Sequence, residues 1–281
     1  MTTIIDGKKI GDKILFKIKK EMVSLSFKPI FCDVLVGNDR ASVQYVQMKK
    51  QNAEAMGFCF HSANFPISIE TENLIKEIKI LNQMPNMCGI IVQLPLPEAL
   101  DRRKILDAIS PLLDVDCLGT TASNLFYKGK INFCFPTALA CMKLLDFTGV
   151  SLKNKKIVIL GQGDLVGKPV AALLRFRGLD PDIIISKTKN KEKIIKQADV
   201  IISGIGKGKY ITGDMIKKNV ILIDAGTSES GSGIIGDIDL ESVKGIASFI
   251  SPVPGGVGPV TIAMLLNNVL NVAKKLPLGK T

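Results

Sequence analysis

The chain has 281 residues, enough for two ordinary domains, and its 46% apolar and 22% charged residues give a globular composition that excludes a disordered or low-complexity protein. No apolar run approaches the roughly 20 residues that span a bilayer, so no membrane is expected as a partner. The net charge of +11, from 37 basic and 26 acidic residues, admits an acidic ligand or nucleic acid; the lysines are scattered, and with no tryptophan and three tyrosines there are few base-stacking platforms, so no nucleic acid is expected.

Ile10, Ile14, Ile18 and Met22 recur every four residues and predict an amphipathic first helix with its lysines outward. Residues 29–36 predict a short buried strand closed by the turn Gly37-Asn-Asp-Arg40. Ser42 is expected to cap a helix running to about Met56, with Gly57 ending it. Residues 71–82 predict another helix, and 89–92 a strand that runs into Gln93-Leu-Pro-Leu-Pro97. Those prolines forbid continuation, so Gln93 stands at the carboxyl end of a parallel strand, the edge where open α/β sheets bind ligands. After a helix over 101–109 comes the loop Pro111-Leu-Leu-Asp-Val-Asp-Cys-Leu-Gly119, and a helix over 136–145 links the two halves.

From Lys156 a second unit begins, with strands expected at 156–160, 182–185, 200–203 and 220–224. A rigid loop, Ile250-Ser-Pro-Val-Pro-Gly-Gly-Val-Gly-Pro259, precedes a closing helix over 260–275. The alternation of helices and strands predicts an α/β protein with parallel sheets. The N-terminal sequence lacks the layout of a signal peptide, and the expectation is a cytoplasmic protein. Six cysteines without a C-x-x-C pair read as buried thiols, and with His61 as the only histidine no metal site is expected. His61 itself reads as a structural or surface residue.

Two segments carry candidate chemistry. Tyr45-Val-Gln-Met-Lys49 places a phenol and an amine four residues apart on one helix face. An amine withdrawn from water exchanges protons near neutrality, with Tyr45 to hold or polarise it and Gln93 to restrain it or a water. The bland alternative is an exposed helix face shared with Lys50. Asp114 and Asp116, two apart, point the same way if the backbone is extended, and either recognise an amino-heterocycle or cap their loop.

The second segment is Gly161-Gln-Gly163-Asp-Leu-Val-Gly167, directly after the apolar run 156–160. Strand, glycine turn and helix in this order place backbone N–H groups under a dinucleotide pyrophosphate, and the alternative is a simple packing turn. Where an NAD site shows an acidic residue at the end of the next strand, this chain has Ser186-Lys187-Thr188-Lys189, which favours NADP.

Taken together the chain resembles the bifunctional methylenetetrahydrofolate dehydrogenase/cyclohydrolase family over nearly its whole length. The resemblance runs through Tyr45 to Lys49, Val92-Gln-Leu-Pro-Leu-Pro97, Asp114-Val-Asp116, Val166-Gly-Lys-Pro169, Ile223-Asp-Ala-Gly226, Gly236-Asp-Ile-Asp239 and Pro252-Val-Pro-Gly-Gly-Val-Gly-Pro259 with Thr261. It implies two α/β domains flanking a cleft. Residues 1–117 and 260–281 would form a folate-binding catalytic domain, and 118–259 a Rossmann-like NAD(P)-binding domain. It implies catalytic roles for Lys49, Tyr45, Gln93 and Asp116, and substrate contacts from these residues with Leu94, Pro254, Gly255 and Gly258. Cofactor contacts would come from Gly161, Gln162, Gly163, Leu165, Lys187, Thr188, Gly206, Gly226 and Thr227. The implied reactions are NADP-dependent oxidation of 5,10-methylenetetrahydrofolate and hydrolysis of the methenyl product to 10-formyltetrahydrofolate, by a homodimer acting on tetrahydrofolate derivatives.

The departures from the family pattern lie mostly on the cofactor side. Cys117 follows Asp-Val-Asp where glycine is usual, Cys134-Phe135-Pro136 replaces Cys-Thr-Pro, Gly161-Gln162-Gly163 replaces Gly-Arg-Ser, and Lys187-Thr188 replaces His-Ser. They leave open a variant with NAD preference or mainly cyclohydrolase activity. A basic nucleic-acid-binding protein that merely retains the fold is the remote alternative.

Overall fold

A computed structural model describes residues 1–130, 135–231 and 233–276. In chain order its strands are β1 (Thr3–Ile4), β2 (Ile30–Val36), β3 (Cys59–Phe65), β4 (Met87–Val92), β5 (Ile157–Leu160), β6 (Asp182–Ile184), β7 (Val200–Ser203), β8 (Ile221–Asp224), β9 (Ser228–Ser230), β10 (Gly233–Ile235) and β11 (Phe249–Ile250). Its helices are α1 (Gly7–Met22), α2 (Arg40–Met56), α3 (Thr71–Leu81), α4 (Arg102–Asp107), α5 (Thr120–Tyr127), α6 (Pro136–Phe147), α7 (Gly167–Phe176), α8 (Lys191–Gln197), α9 (Leu240–Val243) and α10 (Val257–Ala273). Among the described residues no helix is long and apolar enough to cross a membrane.

The chain divides into two compact units, one of Met1–Asp12 with Thr137–Met264 and the other of Lys13–Pro136 with the stretch from Leu265. The boundaries depart from the expected 1–117 with 260–281 against 118–259. Residues 1–12 join the later unit because Thr3 and Ile4 extend its sheet, pairing in parallel with Phe249 and Ile250. Gly7 reinforces this, since a Cβ there would fall 1.8 Å from the Gly256 carbonyl oxygen. Residues 118–136, with α5, stay with the earlier unit.

The unit built on residues 13–136 has a three-stranded parallel sheet in the order β3-β2-β4. β2 and β4 read as continuous apolar runs because both faces are covered, the signature of a parallel strand. β3 escaped the sequence reading: Cys-Phe-His-Ser-Ala-Asn-Phe is largely solvated and has no apolar run. α2 begins one turn earlier than expected. Asp39, rather than Ser42, is its N-cap, its carboxylate accepting the Ser42 N–H at 2.8 Å, while Gly57 ends it at φ +100°.

The unit built on residues 137–264 has a six-stranded parallel sheet in the order β1-β11-β8-β7-β5-β6. Its core is aliphatic, with Val158, Leu160, Ile201, Leu222 and Ile250 all buried. β6 lies on one side of β5 and β7 on the other, so strand order reverses at β5, where a doubly wound sheet opens a crevice for ligands. β9 and β10 form a small antiparallel hairpin.

Candidate active site

The chain brings Tyr45, Lys49 and Gln93 together within the first of these sheets' units. β4 ends at Val92, and the Gln93 N–H still bonds to the Val34 carbonyl at 2.9 Å, which fixes its side chain at the carboxyl edge of the sheet. Its Oε1 accepts from Lys49 Nζ at 2.8 Å, while its amide nitrogen donates to the Leu94 carbonyl at 2.6 Å. Leu94 is thus tied to the site through its backbone. Tyr45 lies one turn before Lys49 on α2, with its ring centroid 4.9 Å from Nζ. Lys49 is 1% exposed, so the solvated-face alternative fails.

A residue that the sequence reading missed completes the set. Asp33, in the middle of β2 and wholly buried, places Oδ2 2.6 Å from Lys49 Nζ. Neither Asp33 oxygen has a partner aligned for a directed hydrogen bond among the described residues, so the ion contact is its compensation. Burial raises the Asp33 carboxyl from its ordinary value, and Lys49 acts against that rise. The signal was a single carboxylate inside the apolar run Ile30–Val36, since a charge in a doubly covered strand requires a partner.

Asp114 and Asp116 do different work because their segment turns rather than extends. Asp114 accepts the Gly119 N–H at 2.7 Å and the Leu118 N–H at 3.4 Å, so it holds the turn, and burial pushes its carboxyl up to about 6. Asp116 is pushed up to about 7 by burial, against the opposing pull of Lys49 and with added repulsion from Asp114 and Asp33. Burial likewise raises the Tyr45 phenol, with the Asp116 and Asp33 charges adding to it. Cys117, at the position where glycine was expected, keeps the left-handed backbone at φ +58°, a conformation costing a non-glycine residue about 1–2 kcal/mol.

In the other unit, the expected cofactor residues gather on loops following four adjacent strands. Gly161 leaves β5 at φ +95°, and Gly167 packs so closely that a Cβ would meet the Gly161 carbonyl oxygen at 2.1 Å. Gln162, Gly163 and Leu165 are exposed, and space around Gly163 is open. α7 then starts at Gly167, with its first-turn N–H groups at the turn. After β6, the Thr188 hydroxyl accepts the Ile185 N–H at 2.9 Å, and Lys187 is exposed. Gly206 lies beside Thr227, its added Cβ being 3.8 Å from that residue's carbonyl oxygen.

Two buried aspartates knit the loops after β7 and β8. Asp237 accepts from the Ser203 hydroxyl at 2.7 Å and from the Ile205 and Lys207 N–H groups at 2.8 Å each. Asp224 accepts the Gly226, Asp237 and Ile238 N–H groups, and burial pushes its carboxyl up to about 7. A Cβ on Gly226 would sit 2.0–2.2 Å from the Asp237 carboxylate, so Gly226 is a packing glycine. Pro254, Gly255 and Gly258 belong to this unit and not to that of Lys49.

Comparison with known proteins turns this geometry into a family assignment. The catalytic-domain model of the tetrahydrofolate dehydrogenase/cyclohydrolase family matches residues 5–116, and its NAD(P)-binding-domain model matches residues 135–276. The chain belongs to the tetrahydrofolate dehydrogenase/cyclohydrolase family. It is 41% identical over 276 residues to the bifunctional protein FolD of Nautilia profundicola, covering 97% of each chain. The structure of the bifunctional FolD enzyme from Campylobacter jejuni aligns at a TM-score of 0.93 with 35% identity, over 98% of this chain and 99% of that one. The Trypanosoma brucei dehydrogenase–cyclohydrolase, solved with NADP and an inhibitor, aligns at 0.91 with 32% identity, covering 98% of each.

The later unit therefore carries an NAD(P)-binding domain, and the protein is an oxidoreductase and hydrolase of one-carbon folate chemistry. Among the family's usual positions, Phe135 is buried, its ring edge-on to Phe126 at 5.2 Å and tilted to Tyr127 at 6.0 Å. Cys134 lies outside the described residues.

Proposed function

We propose that the protein oxidises 5,10-methylenetetrahydrofolate to the 5,10-methenyl cation with NADP and hydrolyses that cation to 10-formyltetrahydrofolate. The observation that carries the reading is the buried Lys49, held by Gln93 at the carboxyl end of β4 with Tyr45 against it. A buried amine with a fixed acceptor is suited to moving protons rather than to a surface role.

The chain's fit to a dinucleotide rests on the open glycine turn before α7 and on the exposed Lys187 after β6, where no carboxylate stands to repel a 2′-phosphate. Bound NADP would supply the hydride acceptor for the one-carbon bridge. Gly161, Gly163 and the first turn of α7 would hold its pyrophosphate, and Lys187 with Thr188 its ribose phosphate. For hydrolysis, water would add to the one-carbon cation, the charged Lys49 would give its proton to N5 as the C–N5 bond breaks, and one of the two water protons would recharge Lys49 while the other leaves to solvent. Gln93 would orient the Lys49 head, and Asp116 would accept hydrogen bonds from the pterin amino group. NADP in the Trypanosoma brucei relative supports the cofactor choice, while Gln162 and Gly163, which bring no cation to the turn, favour weaker NADP use. A homodimer in the cytoplasm goes with this reading.

An absorbance assay with 5,10-methylenetetrahydrofolate, run with NADP and NAD in parallel, tests it. Acid-stable methenyl product with NADP is the expected result. Product with NAD alone would overturn the cofactor assignment, and no product with either would overturn the oxidation step.

A further inference from the structure

Asp33 has no counterpart among the expected site residues, yet it makes the shortest polar contact to Lys49. β2 carries it into the sheet interior, opposite Ser62 on β3 and Ile91 on β4, where no water reaches it. An unpaired carboxylate in such a place is strongly disfavoured, and so is an unpaired ammonium; the 2.6 Å contact offsets both. The Lys49 head therefore has two fixed polar partners, Asp33 Oδ2 in ion contact on the strand side and Gln93 Oε1 as hydrogen-bond acceptor at the sheet edge. The ionisable groups around the pair are Tyr45 on α2, Cys32 beside Asp33 on β2, and Asp116 on the loop after α4 with Asp114 acting on it. Lys49 is the single cation in this set of three carboxyls, a phenol and a thiol.

We propose that Asp33 is a positioning residue for the hydrolytic step, the counter-ion that aims the Lys49 head at Gln93 and favours its ammonium form. The proposal rests on the hydrolytic reading of Lys49. A carboxylate in contact favours the ammonium over the free amine, so Lys49 enters turnover charged. Gln93, being neutral, orients the head by a hydrogen bond and brings no counter-charge. The division of labour separates two functions that a single carboxylate acceptor would merge.

The test is the pH dependence of methenyltetrahydrofolate hydrolysis for wild type, Asp33→Asn and Asp33→Glu. The expected result is that the Lys49-dependent limb of kcat moves acidward by about one pH unit or more in Asp33→Asn, and that Asp33→Glu brings it back toward the wild-type position. A purely structural role would lower kcat at every pH and leave the limb in place, and that outcome overturns the proposal. Should Asp33→Asn fail to fold, carboxyl carbon NMR of the wild type and of Lys49→Met reads the same coupling from the other side. The Asp33 resonance is expected to titrate at least one unit higher in Lys49→Met, and an unchanged titration overturns the proposal. Wild-type protein that hydrolyses no methenyltetrahydrofolate would instead overturn the hydrolytic reading, which the NMR comparison does not need.

Discussion

At the scale of single residues the account turns on Lys49 and Asp116. Lys49→Met keeps the length of the stem and removes the amine, and methenyl hydrolysis is expected to fall by about 10²–10⁴-fold, the usual worth of a general acid–base group. Asp116→Asn removes a charged acceptor while keeping its size, and the folate KM is expected to rise by roughly 10- to 100-fold, as for losing one charge-assisted hydrogen bond of about 1.5–3 kcal/mol. Steady-state kinetics on both substrates reads the two effects apart, and an unchanged folate KM would remove the pterin role from Asp116. The placement of Tyr45 and Lys49 on one helix face and of Gln93 at a strand end was legible from helix spacing and a proline stop, while their selection as a site came from the family resemblance. Asp33 was not legible, because its partner lies sixteen positions away on another element, and the strand run around it reads as core.

At the scale of elements, the glycine turn and the aspartate network decide how well the loops proposed to bind NADP are held. Gly167→Ala puts a methyl group against the Gly161 carbonyl oxygen, so β5 and α7 must separate. NADP affinity is expected to fall at least tenfold by direct binding titration, with a lower Tm; wild-type affinity would show that the turn is not the phosphate cradle. Asp237→Ala strips acceptors from Ser203, Ile205 and Lys207 together. Unsatisfied buried donors cost about 1–3 kcal/mol each, so thermal or denaturant unfolding is expected to show a loss of several kcal/mol. Elements with a clear apolar pattern were legible: β7 matches its expected span, and α3 and β5 fall within one residue of theirs. The two-residue strands were not. β1 and β11 have two residues each and exist only because a parallel neighbour satisfies their backbone, information that no local window contains.

At the scale of the whole molecule, three desolvated carboxyls give stability a pH dependence of definite sign. Asp114, Asp116 and Asp224 are raised to about 6, about 7 and about 7 by burial, above their ordinary value near 3.8. The folded state then binds more protons than the unfolded one between pH 4 and 7, so their contribution is fully present below about pH 4 and is lost as pH rises through 6 to 7. Asp39, Asp199 and Asp214 are lowered instead, so their contributions are lost only below about pH 4 and stay constant at higher pH. The ligand-free Tm is therefore expected to fall between pH 5 and pH 8, and Asp224→Asn should flatten the slope. A Tm that climbs steadily over that interval would contradict the burial of these groups. The division of the chain was legible only in outline: the two α/β units follow from the order of strands and glycine turns, but the transfer of residues 1–12 to the later unit depends on the β1–β11 pairing.

The central claim is that the Lys49 cluster performs methenyl hydrolysis. Its most direct test is the decay of the methenyltetrahydrofolate absorbance band in the presence of wild-type protein and of Lys49→Met, against buffer alone. The account predicts rapid decay with wild type and decay near the buffer rate with the variant. Equal decay with both proteins would place the hydrolytic chemistry elsewhere.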